Sequence, residues 1–338
     1  MLKEAIKKLV AGIDLTREES SFAMDEIMNG NATPSQIAAF ITALSIKKET
    51  AEEITGCSES MRSHSIKIFP QAKDLVDTCG TGGDSSGTFN ISTAAAIVAA
   101  GAGVSVAKHG NRSVSSRSGS ADVLEVLGVK VDIDPKKVEA CINQAGIGFI
   151  YAPSFHKAMR FAAPTRKEIG IRTIFNILGP LTNPAAASSQ LLGVYKRELA
   201  YVMAEVLKKL GTVHAMVVCS HDGLDEISIS AKTRVAHLKD GKIKEYDIKP
   251  QDFGIKIASK NEILGSSPNE NAEIILSIIR EKEKGPKRDV VVLNAGAAIF
   301  VGGKAADIKQ GIKMAEASID SGMAQKKLQA LIDLTQGE

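Results

Sequence analysis

The hydrophobic period changes once along this chain, near residues 68–73, and that change restricts the fold more than any other feature. Before it, segments 2–11, 16–28, 34–45 and 50–63 carry apolar residues at helical spacing. Thr16, Thr33 and Thr50 stand where caps belong, and Asn29-Gly30-Asn31 and Pro34 punctuate the run. After Pro70, short β-branched runs at 75–76, 104–107, 130–133 and 149–150 alternate with helical stretches. Alternation of this kind builds βαβ units around a parallel sheet. The expected fold is therefore α/β, with a small all-helical N-terminal domain plus a larger α/β domain that has a mainly parallel central sheet.

The helical domain is expected to span 1–70. Between about 169 and 190 the chain turns helical and then loop-like, through Gly179-Pro180, Asn183-Pro184 and a run of small residues, and this segment is expected to return to the helical domain. That leaves 71–168 and 191–338 for the α/β domain. Strands are expected again at 216–219, 233–238, 242–247 and 290–293, and helices at 271–284, 305–321 and 323–334. No repeat or low-complexity segment interrupts the pattern.

A chain of 338 residues, 44% of them hydrophobic, has enough apolar surface for a sizeable core. The net charge of +3 is spread evenly, which argues against nucleic acid, and an aromatic content of 4% with no Trp argues against base-stacking platforms. Cys57, Cys79, Cys141 and Cys219 form no C-x-x-C pair, so neither zinc nor a disulfide framework is expected and a reducing cytoplasm fits best. The first residues mix Lys3, Glu4, Lys7 and Lys8 with apolar ones, unlike a signal peptide. The longest apolar run, 94–104, falls short of the roughly 20 residues that cross a membrane.

Chemistry concentrates at Asp77-Thr78-Cys79-Gly80-Thr81-Gly82-Gly83-Asp84, which lies between the strand at 75–76 and the apolar helical run 91–100. Glycines there permit positive φ and close approach of backbone amides, and Ser92 or Thr93 is expected to cap the helix. A glycine loop feeding a helix N-terminus is an anion site. A dinucleotide fingerprint from Gly80 would need glycine at Ser85, and a Walker A loop from Gly82 meets Gly87 and then Thr88 where lysine belongs, so both are excluded.

Lys108-His109-Gly110-Asn111-Arg112-Ser113-Val114-Ser115-Ser116 follows the strand at 104–107, where α/β sheets bind ligands. Lys108 and Arg112 suit phosphate and Asn111 suits a planar substrate, and the same stretch also reads as a solvated loop. His109 is either a general base or a hydrogen-bonding, structural residue. Ser120, in Gly119-Ser120-Ala121-Asp122, is either a second phosphate contact or an N-cap. Asp222-Gly223-Leu224-Asp225-Glu226 is either a charged turn or a Mg²⁺ site near phosphate. Arg166 meets a substrate carboxylate at the domain interface or lies on plain surface.

Taken in order, these segments resemble the anthranilate phosphoribosyltransferase family over most of the chain: D-T-C-G-T-G-G-D at 77–84, T-F-N-I-S-T at 88–93, K-H-G-N-R-S-V-S-S at 108–116, G-S-A-D at 119–122, R-T-I-F-N-I-L-G-P-L-T-N-P at 172–184 and D-G-L-D-E at 222–226. The resemblance implies transfer of phosphoribose from phosphoribosyl pyrophosphate to anthranilate, a homodimer joined through the helical domains, and Mg²⁺. By matching position it implies that Gly80, Gly83, Asp84, Thr88, Asn90, Ile91, Ser92, Thr93, Lys108, Ser120 and the stretch His109, Gly110, Asn111, Arg112, Ser113, Val114, Ser115 and Ser116 hold phosphoribosyl pyrophosphate. Gly80, His109, Asn111, Arg166 and Gly179 would face anthranilate, and Ser92, Asp225 and Glu226 would serve the metal. No glutamine-amidotransferase extension is expected, so a chain supplying anthranilate would be separate. A pyrimidine nucleoside phosphorylase is the alternative enzyme, but its K-x-S-G-R run is missing. A non-catalytic nucleic-acid-binding relative would need a concentrated basic surface, which the sequence lacks.

Overall fold

A computed structural model describes residues 1–84, 86–113 and 117–337 of the chain. The leading helices are Leu2–Val10, Arg17–Met28, Pro34–Lys47 and Ala51–Ser63. The last three start at capping boxes, in which Thr16, Thr33 and Thr50 accept from the backbone of Glu19, Gln36 and Glu53 while those side chains reach back.

Seven strands follow: β1 (Leu75–Gly80), β2 (Ser105–Gly110), β3 (Ile147–Tyr151), β4 (Ser189–Gly193), β5 (His214–Ser220), β6 (Thr233–Lys239) and β7 (Lys242–Ile248). They form one sheet in the order β3-β2-β1-β4-β5-β6-β7. The first five in that order pair in parallel, and β6 and β7 add an antiparallel edge.

Both faces of the parallel part of the sheet are buried, which explains why those strands read as apolar runs and not as alternating ones. Val76, Val106, Leu191, Met216 and Val218 pack on one face against the predominantly apolar helices Ile91–Gly101 and Pro286–Val301. On the other face Leu192, Val194, Val217 and Ala236 share a core with helix Glu198–Lys209, with Ile54, Cys57 and Met61 of the leading helices, and with Ile174, Phe175, Leu178 and Leu181. Segment 170–184 is bonded to the leading helices as well: Ser45 Oγ donates to the Arg172 carbonyl at 3.1 Å and Arg62 Nε to the Leu181 carbonyl at 2.7 Å.

Three local expectations change. Residues 290–293 lie inside the helix Pro286–Val301, because an apolar β-branched run buried all round suits a core helix as well as a strand. Residues 130–133 form no strand, and the Lys130 amide bonds to Thr335 Oγ1 at 3.2 Å. Strand β4 starts at the end of the stretch expected to be loop-like and continues through 191–193, where no strand is expected, with Gln190 buried inside it, its Nε2 donating to the Pro180 carbonyl at 2.7 Å.

Candidate active site

Strands β1, β2, β4 and β5 end on one rim, at Gly80, Gly110, Gly193 and Ser220. The chain lays down β1, β2 and β3 toward one edge and restarts with β4 on the other side of β1, so the topological switch point lies between β1 and β4. Open α/β sheets leave their ligand crevice at that point.

Asp225 sits over it. Gly82 donates its amide to Asp225 Oδ2 at 3.0 Å. Gly80 and Gly193 are register partners, and a Cβ on Gly80 would lie 2.4 Å from Asp225 Oδ2, while one on Gly193 would lie 1.5 Å from the Asp225 carbonyl oxygen. Neither position has room for a side chain. Gly82 and Gly83 hold φ of +66° and +75°, conformations that favour glycine.

Three carboxylates converge here. Lost solvation pushes Asp225 well above the ordinary carboxyl range and the neighbouring Asp84 pushes it further. Glu226 is raised by lost solvation and then by Asp225, with Lys108 and the Ser92 amide opposing. Asp84 Oδ2 has no hydrogen-bond partner among the described residues, and the same holds for Thr81 Oγ1, Thr93 Oγ1 and His109 Nε2. Buried polar atoms without partners are uncommon in folded proteins, and those near the glycine loop leave bonding capacity that a ligand could use. No three His, Cys, Asp or Glu residues among those described are grouped to enclose a metal alone. Mg²⁺ binds through one or two carboxylates and completes its shell with substrate phosphates, so crowded Asp225 and Glu226 beside the Ser92 hydroxyl fit that ion.

Ser92 and Thr93 lie in the first turn of helix Ile91–Gly101, after the buried Ile91. The N-cap position belongs to Asn90, not to either of them, and Asn90 makes no cap bond; its amide instead joins Ser118 and Asn271. Lys108 is buried, and its Nζ donates to the Thr78 carbonyl and to Ser92 Oγ at 3.3 Å. Burial lowers its pKa and Asp77 opposes that shift. Thr88 bridges to Leu264, so segment 263–265 flanks the glycine loop.

His109 is buried with its amide on Asp77 Oδ1 at 3.1 Å and its Nδ1 on the Gly179 carbonyl at 3.1 Å. Burial and then the nearby His156 lower its pKa to about 3, so the ring is neutral, and a proton on Nδ1 leaves Nε2 as an acceptor. Asp77 Oδ2 accepts from Asn183 Nδ2 at 2.8 Å, and that same amide reaches the Ala107 carbonyl at 2.8 Å. Asp77 and Asn183 thus lock the ends of β1 and β2 to the segment holding Gly179.

Gly110 faces Ser120, whose Oγ would lie 2.2 Å from an added Cβ. Ser120 is the first residue of helix Ser120–Val126 and is not its cap, which is Gly119; its hydroxyl donates to the Asn111 carbonyl at 3.3 Å. Arg112 turns toward that helix, pairing with Glu125 through two bonds of 2.6 Å, and the Ser113 amide donates to Asp122. Val114, Ser115 and Ser116 lie outside the described residues. Arg166, on helix Ala163–Ile169, is half-buried with its guanidinium 4.9 Å from the centre of the Phe175 ring, and burial lowers its pKa. A Cβ on Gly179 would touch nothing within 4 Å. Gly193, Asp77, Asn183 and Arg172, whose Nη2 donates to the Gly83 carbonyl, carry no assigned role in the sequence reading.

The α/β-domain model of a glycosyl transferase family matches residues 72–325, and that family's helical bundle domain matches residues 3–65. The anthranilate phosphoribosyltransferase of Acetivibrio thermocellus is 55% identical over 335 residues, covering 99% of this chain and 97% of its own. That of Methanobrevibacter smithii is 52% identical, covering 99% of each. This chain belongs to the anthranilate phosphoribosyltransferase family. Among solved structures, the Thermus thermophilus anthranilate phosphoribosyltransferase has a TM-score of 0.94 at 40% identity, covering 98% of this chain and 99% of that one. The Saccharomyces cerevisiae anthranilate phosphoribosyltransferase, solved in complex with PRPP and Mg, has a TM-score of 0.91 at 30% identity, covering 99% of this chain and 97% of that one. The yeast enzyme has also been solved in complex with 4-fluoroanthranilate.

Proposed function

We propose that this chain is the enzyme that transfers the phosphoribosyl group of phosphoribosyl pyrophosphate to the amine of anthranilate, giving N-phosphoribosyl-anthranilate and pyrophosphate, in tryptophan biosynthesis. The observation that carries the site assignment is the meeting, at the β1/β4 switch point, of a glycine loop, a buried lysine and crowded carboxylates.

In the reaction the bond from the anomeric carbon to the pyrophosphate oxygen breaks and the anthranilate nitrogen takes its place, so negative charge grows on the leaving group. Lys108, the amides of the loop around Gly80, Gly83 and Asp84, and the first turn at Ile91, Ser92 and Thr93 stabilise that charge, with Thr88, Asn90, Gly110 and Ser120 shaping the donor site. Mg²⁺ held by Ser92, Asp225 and Glu226 would supply further charge neutralisation on the diphosphate. Arg166 pairs with the carboxylate of anthranilate, while Asn111, the neutral His109 and Gly179 line the acceptor side and orient its amine. The bound PRPP, Mg and 4-fluoroanthranilate of the yeast relative support both halves.

Residues 1–70 with the returning segment from about 169 up to the start of β4 form the helical domain, and the remainder forms the donor-binding domain. A homodimer through the helical domains is supported by the exposed apolar side chains of Val10, Phe22 and Ile46 at 75%, 54% and 78%. The biosynthetic role and four buried, unbridged cysteines support a cytoplasmic setting. No helix among the described residues is long and apolar enough to cross a membrane.

The fading of anthranilate fluorescence tests the reaction. Loss of signal is expected only with enzyme, phosphoribosyl pyrophosphate and Mg²⁺ together, and an unchanged rate without the sugar donor would overturn it.

A further inference from the structure

Arg172 belongs to neither set of residues assigned above, yet it touches three parts of the molecule at once. It lies in the exposed stretch after Gly170, whose φ of +61° ends the helix Ala163–Ile169. Its backbone carbonyl accepts from Ser45 Oγ of helix Pro34–Lys47 at 3.1 Å. Its guanidinium donates through Nη2 to the carbonyl of Gly83 and lies 4.5 Å from the centre of the Tyr195 ring, just beyond β4. The guanidinium thus meets a carbonyl and an aromatic face, and no carboxylate of a described residue is ion-paired with it.

An exposed arginine that bonds to a main-chain carbonyl fixes the direction of a peptide plane. Peptide groups are planar and trans, so holding the Gly83 carbonyl toward Arg172 aims the amide of Asp84 the opposite way. Gly83 has the backbone freedom to turn that plane over, because its φ of +75° is one of several wells open to glycine. Gly82 is held from the other side by Asp225, so the loop is fixed at both ends of one short stretch, by an acid on an amide and by a cation on a carbonyl. Stacking on Tyr195 limits the rotamers of the guanidinium, which makes it a fixed post and not a mobile surface charge.

We infer that Arg172 is a positioning residue for the glycine loop, which sets the orientation of the Gly83–Asp84 peptide for the diphosphate of the sugar donor and joins that loop to helix Pro34–Lys47 through its own backbone. The inference rests on the donor-site assignment made above. Its effect belongs to donor binding, because the residue orders the diphosphate cradle and makes no contact with the acceptor side at Arg166, His109 or Gly179.

Steady-state kinetics of Arg172→Ala and Arg172→Lys, together with calorimetric titration of pyrophosphate in the presence of Mg²⁺, tests this. Losing a charge-assisted bond of ordinary strength is expected to weaken pyrophosphate binding and raise the KM for the sugar donor by about tenfold in Arg172→Ala. The KM for anthranilate should stay within about twofold of wild type, since nothing on that side touches the residue. Arg172→Lys should recover part of the loss, because it keeps the charge and a donor but not the planar fork. Unchanged pyrophosphate affinity in Arg172→Ala, or an anthranilate KM that rises as much as the donor KM, would overturn the inference. The pyrophosphate titration needs neither anthranilate nor turnover, so its outcome judges Arg172 separately from the assigned reaction.

Discussion

His109 illustrates how a residue's surroundings choose among its chemistries. Its pKa, lowered to about 3, leaves little basicity near neutrality, so the geometry favours a neutral ring that holds Gly179 with Nδ1 and presents Nε2 as an acceptor. Asp225 and Glu226 shift the other way. Both folded-state pKa values stand above the unfolded carboxyl values. Stability from such groups is fully present below an unfolded pKa of about 4 and is lost as pH rises through the folded values. In the absence of metal the stability, and the thermal midpoint with it, is therefore expected to fall between about pH 6.5 and pH 8.5, the free energy by at most about 1.4 kcal/mol per carboxyl for each pH unit. Mg²⁺ with pyrophosphate should flatten the fall by favouring the ionised pair. Scanning calorimetry at both pH values decides this, and a midpoint that does not move without metal would contradict the crowding of these acids.

At the scale of elements, the close pairing of β1 with β4 under Asp225 makes a sharp demand. Gly193→Ala would drive a Cβ into the Asp225 carbonyl and is expected to cost about 3 kcal/mol or more, because the acid lies over two paired strands that cannot both move aside. A denaturant midpoint within error of wild type would refute that geometry. Element by element, the sequence was most legible where the signal is local. The threonine caps, the helical spacing of the leading segment and the alternation after Pro70 all depend on neighbours within one or two turns. Strand β4 was hidden because Ser189 and Gln190 look polar, and only the distant Pro180 carbonyl and the Cys79 sulfur satisfy the buried amide. Residues 290–293 misled for the opposite reason: three valines and a leucine favour a strand locally, whereas burial on every side by other helices decides for a helix. The site divides the same way. Gly80, Lys108 and Asp225 announce themselves by type and position, but Asp77, Asn183, Gly193 and Arg172 act through partners that lie from 32 to 106 residues away.

For the whole molecule, one core joins the leading helices, segment 170–184 and one face of the sheet. The leading helices still expose Val10, Phe22 and Ile46, an arrangement that a second copy would cover. Sedimentation velocity should report twice the chain mass for wild type and the single chain mass for Phe22→Glu with Ile46→Glu, and a monomeric wild type would remove the dimer. The central claim is the reaction at the β1/β4 switch point, and phosphorus NMR of a reaction mixture tests it most directly by following the sugar donor itself. One pyrophosphate should appear for each phosphoribosyl pyrophosphate and each anthranilate consumed, with no pyrophosphate released when anthranilate is left out. Release of pyrophosphate independent of anthranilate, or consumption of the donor to orthophosphate, would contradict the transfer.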